Sequence, residues 1–566
     1  MPITTLARRL ALAVVLGTAA LPAAATGLSG AYLAATQADF RDDYAAAAAY
    51  YDRALLADPE NPGLLTNAVV TRVAMGDVDA AAALADRLAA VEPESQVAAL
   101  VRLADALAEG DFATAATVLE AAGSAEETNP LLAGLLAGWI EVGREDFPAA
   151  EAAFDAMTGN DALEAYGQYH KALALAFAGD FVSAETILAG NEEDGPLHLN
   201  RSAIVAHAQI LAQLGREAEA IAVIDDALAG GVPDAPLIAL RDRLAAGEEV
   251  PFDQVARPRD GAAEAFLTLA DALDTEESQR VALIHARLAA HIRPDLVEAK
   301  LLIADVLEAQ EQYGLATEAL EGVPEASPWL VTTEIRRAST QATSGDAEAG
   351  IATLTALAAA HGDRIEVESA LGDALRMAER YPEAVEAYSR AIAQIDEPRQ
   401  AHWVLYYTRG IANERAGDWP AAEADFRQAL KLEPEQPLVL NYLGYSMVEK
   451  RQNLDEALAM IETAVRREPE DGYITDSLGW VLYRLGRYEE AVQPMLRAVE
   501  LTPDDPVIND HLGDVLWKVG RTREAEFQWR RALSFGPADD LDMDRIRRKL
   551  EVGLDAVLAA EPPRDG

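Results

Sequence analysis

Apolar and polar positions alternate with helical periodicity in the last part of the chain, and the pattern occurs three times between Pro437 and Pro537. Each copy contains a run with apolar residues three and four positions apart, a short polar break, and a second run of the same kind. In the middle copy the first run carries Leu478 and Leu482, and the second carries Ala491 and Met495. The pattern predicts two amphipathic helices per copy that pack through their apolar faces.

Small residues keep the same place in every copy of this pattern. A glycine recurs at 444, 479 and 513, an alanine at 457, 491 and 525, and a proline at 469, 503 and 537, so each marker returns after 34 or 35 residues. Glycine inside a helix costs about 0.5–1 kcal/mol relative to alanine. Its phased use therefore indicates two helices that approach too closely for a larger side chain, and the proline marks the end of the second helix.

This combination of phased markers resembles the tetratricopeptide repeat family, which is built from helix-turn-helix units. The resemblance implies an all-α fold, a superhelical solenoid of about 10–14 repeats in which neighbouring units share one core. It also implies that the first helices of successive repeats line a concave surface and that the chain binds other proteins there.

Weaker copies of the pattern extend toward the N-terminus and divide the chain. We predict, in order, a signal peptide at 1–25, a degenerate repeat array at 26–246, a linker at 247–261, a middle array at 262–396, a strong array at 403–537 and a final helix at 538–561. The linker is predicted because Pro251 and Pro258 interrupt the period. The final helix, with Ile546 and Leu554 in its apolar stripe, is interpreted as the cap that ends a solenoid. The alternative is a basic docking site.

The first 25 residues have the composition of a secretory signal. Arg8 and Arg9 precede an apolar run from Leu10 to Leu21, and residues 23–25 offer a small-residue cleavage site. The apolar run is too short to span a bilayer, and no later stretch is longer and equally apolar. For a bacterial chain we therefore expect export to the periplasm as a soluble protein without a transmembrane segment.

Charge and composition exclude several classes of function. The chain has 566 residues, a formal net charge of −48, eight histidines and no cysteine. The negative charge excludes electrostatic binding to nucleic acid, and the lack of cysteine excludes disulfides, thiolate metal sites and a bacterial lipid anchor. The histidines show no metal-binding spacing, and the sequence contains no phosphate-loop, metalloprotease or serine-hydrolase motif. We therefore predict a non-catalytic protein without a metal or cofactor.

The predicted binding residues lie on the concave surface. If the marker glycine is position 8 of a repeat, positions 2, 5, 9 and 12 point away from the apolar face of the first helix. In the C-terminal repeats these positions hold mostly aromatic and acidic side chains: Tyr407, Asn441, Tyr445, Tyr473, Asp476, Trp480, Tyr483, Asp510, Asp514 and Trp517. Aromatic residues on an open groove are typical anchors for a partner, so we expect an extended or helical partner segment there. The alternative is that each side chain packs on the first helix of the neighbouring repeat.

The signal sequence, the length and the strong C-terminal array together resemble exported bacterial tetratricopeptide adaptors of carboxyl-terminal processing proteases. The resemblance implies a periplasmic adaptor that presents envelope proteins, such as cell-wall hydrolases, to a protease. A different class of protein fits the same features, namely a structural scaffold of an envelope assembly for polysaccharide export or cell-wall synthesis. An adaptor should change the turnover of its partner, whereas a scaffold should bind stoichiometrically and leave that turnover unchanged.

Overall fold

The computed structural model describes residues 28–123, 129–159, 161–190, 196–197, 200–229, 234–273, 278–538 and 541–561. Within these ranges every regular element is helical, as the repeat pattern predicts, and no helix is long and apolar enough to cross a membrane. The predicted signal peptide at 1–25 lies outside the described residues. The helices fall into two compact units, residues 1–353 and 354–566.

The helices of the N-terminal unit mostly follow one another in packed pairs. They are α1 (Leu28–Asp39), α2 (Tyr44–Ala57), α3 (Pro62–Met75), α4 (Val78–Val91), α5 (Gln96–Glu109), α6 (Phe112–Ala121), α7 (Pro130–Gly143), α8 (Phe147–Asp155), α9 (Asp161–Phe177), α10 (Phe181–Ala189), α11 (Arg201–Gln213), α12 (Glu217–Leu228), α13 (Ala235–Ala245), α14 (Pro258–Ala272), α15 (Gln279–Ile292), α16 (Val297–Ala309), α17 (Tyr313–Ala319) and α18 (Leu330–Thr343). A short 3-10 helix, Ala156–Gly159, follows α8.

Helix α19 (Ala347–His361) runs across the boundary between the units, and the C-terminal unit continues with the same alternation of first and second helices. Its helices are α20 (Ile365–Met377), α21 (Tyr381–Ala393), α22 (Trp403–Arg415), α23 (Trp419–Leu432), α24 (Pro437–Glu449), α25 (Leu454–Arg467), α26 (Gly472–Arg484), α27 (Tyr488–Leu501), α28 (Pro506–Lys518), α29 (Thr522–Phe535), α30 (Met543–Val552) and α31 (Leu554–Ala560). A 3-10 turn, Gln400–His402, precedes α22.

In several repeats the tight turn between the two helices consists of a glycine followed by an aspartate. Gly417 has φ +88°, a conformation that residues with a side chain rarely adopt, and it follows the end of α22. The carboxylate of Asp418 then accepts a hydrogen bond from the Ala421 N–H at 3.2 Å and caps the start of α23. The same two residue types join α3 to α4 and α5 to α6.

Helices α14 and α15 pack against the first helices of the N-terminal repeats, on α3, α5 and α7. Gly261 of α14 lies directly against the Trp139 ring, since a Cβ at residue 261 would come within 2.3 Å of the indole. His291 of α15 approaches Asp105 of α5, with Nε2 3.3 Å from Oδ1. All eleven residues from Asp260 to Ala270 are buried. The face that would form a groove in these repeats is therefore filled by the chain's own helices.

Two of the predicted boundaries differ from the helix limits in the structure. The predicted linker at 247–261 ends too late, because α14 already begins at Pro258, and proline suits the first turn of a helix. The predicted final helix at 538–561 consists of two helices. Gly553, with φ +82° and ψ 156°, ends α30 before Leu554 begins α31. The apolar stripe predicted for this region is nevertheless partly buried, since Ile546 and Leu554 both lie in the core.

A substitution of Gly479 tests the close helix contact that the phased glycines predict. A Cβ at this residue would lie 2.6 Å from Met495 Cγ, across the contact of α26 with α27. Gly479→Leu should therefore lower the free energy of unfolding of the C-terminal unit by about 1–3 kcal/mol through overpacking. Glu489→Leu, on the exposed side of α27, should change it little. Urea denaturation followed by circular dichroism measures both variants, and equal losses would contradict the assigned packing.

Candidate interaction site

Helices α24, α26 and α28 line a cavity of about 580 Å³ in the C-terminal unit. Four of the sequence-predicted binding residues lie on it: Tyr445, Trp480, Tyr483 and Asp510. Its far side is formed by residues 541–561, which contain α30 and α31 and are called the C-terminal segment below. Cavities of roughly 300–1,000 Å³ are large enough to hold a ligand or several side chains of a partner.

Trp480 is the centre of a stack of three rings on the cavity wall. Its ring centroid lies 3.9 Å from that of His511 and 4.8 Å from that of Tyr483, with interplanar angles of 14° and 13°. The Trp480 Nε1–H donates to Glu449 Oε1 at 3.0 Å. The indole is therefore held in one orientation by groups from three successive first helices, α24, α26 and α28.

His511 joins the stack to a buried carboxylate. Its Nδ1 lies 2.9 Å from Asp476 Oδ2. Burial by itself lowers the pKa of His511, but the carboxylates of Asp476, Asp510 and Asp514 outweigh it and the net pKa is raised. A protonated imidazole over an indole face is also favourable. Asp476, which the sequence analysis placed in the open groove, is thus a buried partner of His511.

Charged residues at position 13 of the repeats complete the rim and were missed by the sequence analysis. They are Glu449, Arg484 and Lys518, all of which line the cavity. Arg484 Nη1 lies 2.7 Å from Glu449 Oε1, and Lys518 pairs with Asp555 of α31. The signal was present, because position 13 follows position 9 by one helical turn and shares its face. Aromatic rings with charges of both signs around them suit a polypeptide segment.

Asp510 and Asp514, which were predicted to lie on the concave surface, are buried against the C-terminal segment. The Lys549 ammonium of α30 lies 2.8 Å from Asp510 Oδ2 and 2.6 Å from Asp514 Oδ1, and the lysine side chain is fully buried. The Trp529 Nε1–H also donates to Asp514 Oδ1, at 3.0 Å. Burial raises the pKa of Asp514, and the nearby lysine opposes that rise. Both carboxylates can be buried because the C-terminal segment supplies a cation to them.

Trp517 and Tyr407 lie outside the cavity lining and contact neighbouring elements. The Trp517 Nε1–H donates to Asp555 Oδ2 at 3.0 Å, so the indole is held by α31. Tyr407 packs edge-on against Tyr442 of the next repeat, with ring centroids 6.0 Å apart. For Tyr407 this is the alternative of packing on the neighbouring first helix, whereas Trp517 contacts the C-terminal segment. The remaining predicted residues also lie outside the lining: Asn441, half-buried on α24, and Tyr473, exposed at the start of α26.

Among the described residues one group has the composition of a metal site, and it lies in the N-terminal unit. Asp79, Asp105 and His291 each place one donor atom within 4.8 Å of the others. The His291–Asp105 contact at 3.3 Å is a hydrogen-bond or ion-pair distance, and the Asp79 side chain is 93% exposed. We interpret the group as a polar contact that joins α15 to α4 and α5.

Comparison with protein families identifies the repeat. Tetratricopeptide repeat models match residues 41–104, 335–398, 403–436 and 448–506. The matched segments cover helices of both units, including α26 and α27. Proteins built from this repeat are generally non-catalytic interaction scaffolds that bind other proteins.

Two curated relatives match parts of the chain. A TPR repeat-containing protein of Pseudomonas aeruginosa is 36% identical over 87 residues, which is 15% of each chain. The lipoprotein NlpI homolog of Haemophilus influenzae is 34% identical over 93 residues, 16% of this chain and 29% of that protein. The chain thus spans less than a third of the length of these relatives.

Among solved structures, a tetratricopeptide repeat protein from Parabacteroides merdae aligns with 45% of this chain and 98% of its own, at 15% identity and a TM-score of 0.37. The family matches show that the chain carries tetratricopeptide repeats in the matched segments, and the described residues have an all-helical fold of the tetratricopeptide type.

Proposed function

We propose that the chain is a protein-binding scaffold and that a partner segment occupies the cavity between α24, α26, α28 and the C-terminal segment. The observation that supports this most directly is the stack of Trp480 on His511 and Tyr483. Its ordered rings offer an apolar surface for a side chain of the partner, and ordering such rings in advance reduces the entropy lost on binding. The charged rim residues can bond to the backbone of the bound segment.

In the cell, we propose, the chain is a periplasmic adaptor that presents envelope proteins to a partner such as a processing protease. Two observations support this role. The first 25 residues have the composition of a secretory signal, and a relative named as a lipoprotein matches 93 residues of the chain. Because the chain has no cysteine, the adaptor would act without a lipid anchor attached to that residue.

Trp480→Ala should weaken partner binding about thirtyfold, because truncating a central aromatic anchor costs about 2 kcal/mol. The partner is identified in cells with a photo-crosslinking benzoylphenylalanine in place of Tyr445, which lines the cavity. The same group in place of Phe527, exposed on α29, is the control. A protein that crosslinks from residue 445 and not from residue 527 is purified, and its dissociation constant is measured for the parent and the variant.

Trp419→Ala is the matched control for this measurement. The Trp419 Nε1–H also donates to a side chain, Gln452 at 2.9 Å, but the residue does not line the cavity. This variant should bind as the parent does. Equal affinity in the parent and in Trp480→Ala would place the site elsewhere. The absence of a specific crosslink from residue 445 would likewise contradict binding in this cavity.

The adaptor role further requires that the half-life of the partner changes in cells lacking the chain. An unchanged half-life would favour a static scaffold.

A further inference from the structure

Both units place their own helices on the face formed by the first helices of their repeats, but the two contacts differ. In the N-terminal unit α14 is buried over eleven consecutive residues, so it belongs to the core. The C-terminal segment buries only Ile546, Lys549, Gly553, Leu554 and Val557. Elements with few buried apolar side chains open more readily than the rest of a fold. The segment therefore has the features of an exchangeable element, whereas α14 does not.

Two sets of ion pairs join the C-terminal segment to α28, beside the apolar contact that Ile546 and Leu554 make. Lys549 lies between Asp510 and Asp514, and Asp555 pairs with Lys518. A buried ion pair contributes little relative to an apolar contact, but removing one partner leaves an uncompensated buried charge. The two aspartates of α28 therefore require a cation, and a lysine or arginine from another helix would meet the same requirement.

Gly553 brings the C-terminal segment close to Trp517 of α28. A Cβ at residue 553 would lie 2.5 Å from the Trp517 ring. The residue also has φ +82°, which disfavours any side chain. Gly553 thus allows α31 to turn back onto Trp517, and replacing it should release the segment without altering any charge.

We propose that the C-terminal segment is a resident occupant of the groove on α28 and that the external ligand of this surface is a basic amphipathic helix. Such a helix would place a lysine or arginine opposite Asp510 and Asp514 and would displace the segment. The segment itself shows the required chemistry, since Arg547, Arg548 and Lys549 adjoin its apolar stripe on a chain with net charge −48. The proposal rests on the proposed function and deepens it: the segment forms the far wall of the cavity, and the partner would gain full access to the surface of α28 by taking the place of that wall.

A synthetic peptide of residues 541–561 with a fluorescent label is the probe for this proposal. Titrated against the full chain and followed by anisotropy, it should bind Gly553→Ala at least tenfold more tightly than the parent. The reason is that apparent affinity scales with the fraction of molecules whose groove is open. Lys549→Gln in the chain should act in the same direction without steric strain. A probe carrying Lys549→Glu should not bind either variant.

Gly520→Ala is the matched control, because Gly520 has φ +81° but no atom within 4 Å of an added Cβ. Hydrogen exchange should be faster at residues 541–561 in both the Gly553→Ala and the Lys549→Gln variants. The protection of the amides from α22 to α29 should not change. The proposal is overturned if α22 to α29 lose their protection when the segment is released, or if neither variant releases the segment. It is also overturned if the segment is released and the probe binds no more tightly than to the parent. The probe needs no outside partner, so these results are independent of the crosslinking test.

Discussion

Acidification from pH 6.5 to pH 4 should lower the free energy of unfolding of the N-terminal unit by about 3 kcal/mol through His170 alone. His170 is fully buried on α9. Its Nδ1 accepts a hydrogen bond from the Trp139 Nε1–H at 2.8 Å, and its Nε2 lies 3.1 Å from Thr268 Oγ1. The imidazole is thus held as the neutral tautomer with its proton on Nε2, since a second proton on Nδ1 would face the indole N–H.

Burial lowers the pKa of His170 from 6.5 to about 3. Between these values the unfolded chain binds a proton that the folded chain does not, so the stability from the neutral histidine is lost as the pH falls from 6.5 toward 3. Urea denaturation of the parent and of His170→Gln at pH 6.5, 5 and 4 measures the difference. His402→Gln, in the other unit, is the control and should keep the dependence of the parent. Parallel curves for the parent and the His170→Gln variant would show that His170 has the same pKa in the folded and the unfolded chain.

Local pattern was sufficient to predict the helices, the turns and the phased contacts of the repeats. The spacing of apolar residues fixes which face of a helix is buried, and a phased glycine such as Gly479 identifies a close helix contact. These features depend on neighbours within one repeat. For that reason the structure contains the helix contact that the phased glycines predict, with Gly479 against Met495.

The packing of α14 and α15 across the N-terminal repeats was not predicted, because it joins residues far apart in sequence. Gly261 packs against Trp139, and Glu264 accepts a hydrogen bond from Tyr169, which lies 95 residues earlier in the sequence. Periodicity shows that a helix has an apolar face but not what covers it. One signal was available, since residues 260–270 are apolar around most of the helix and such a helix is expected in an interior.

The candidate site was partly predictable for a similar reason. Positions 9 and 12 put Trp480 and Tyr483 on one surface, because helical periodicity decides that much, and both side chains line the same cavity. Helical periodicity could not predict that Lys549 buries Asp510 and Asp514. An aspartate has the same place in the sequence pattern whether its side chain faces solvent or a lysine of another helix. The same periodicity also places the charged residues at position 13 on this surface, but they were not predicted as site residues.

Glu264→Gln should stabilise the N-terminal unit by about 3 kcal/mol above pH 8 and leave its stability unchanged near pH 4. Glu264 lies buried on α14, where the Tyr169 hydroxyl donates to its Oε1 at 3.0 Å. Burial, together with the nearby charge of Glu298, raises the pKa of Glu264 from 4.5 to about 7. Glutamine keeps the size of the side chain and the acceptor for Tyr169 but has no charge to bury.

The sign of this effect is opposite to that of His170. As the pH rises from 4.5 to 7, the unfolded chain loses the Glu264 proton before the folded chain does, so the stability from the neutral carboxyl is lost over that interval. Between pH 4.5 and 6.5 the two groups therefore offset each other in the parent. In the Glu264→Gln variant only His170 still acts over this interval, so the free energy of unfolding should rise more steeply with pH than in the parent. Glu217→Gln, exposed on α12, should leave the curve as it is. If Glu264→Gln also leaves the curve unchanged, Glu264 is ionised in the folded chain.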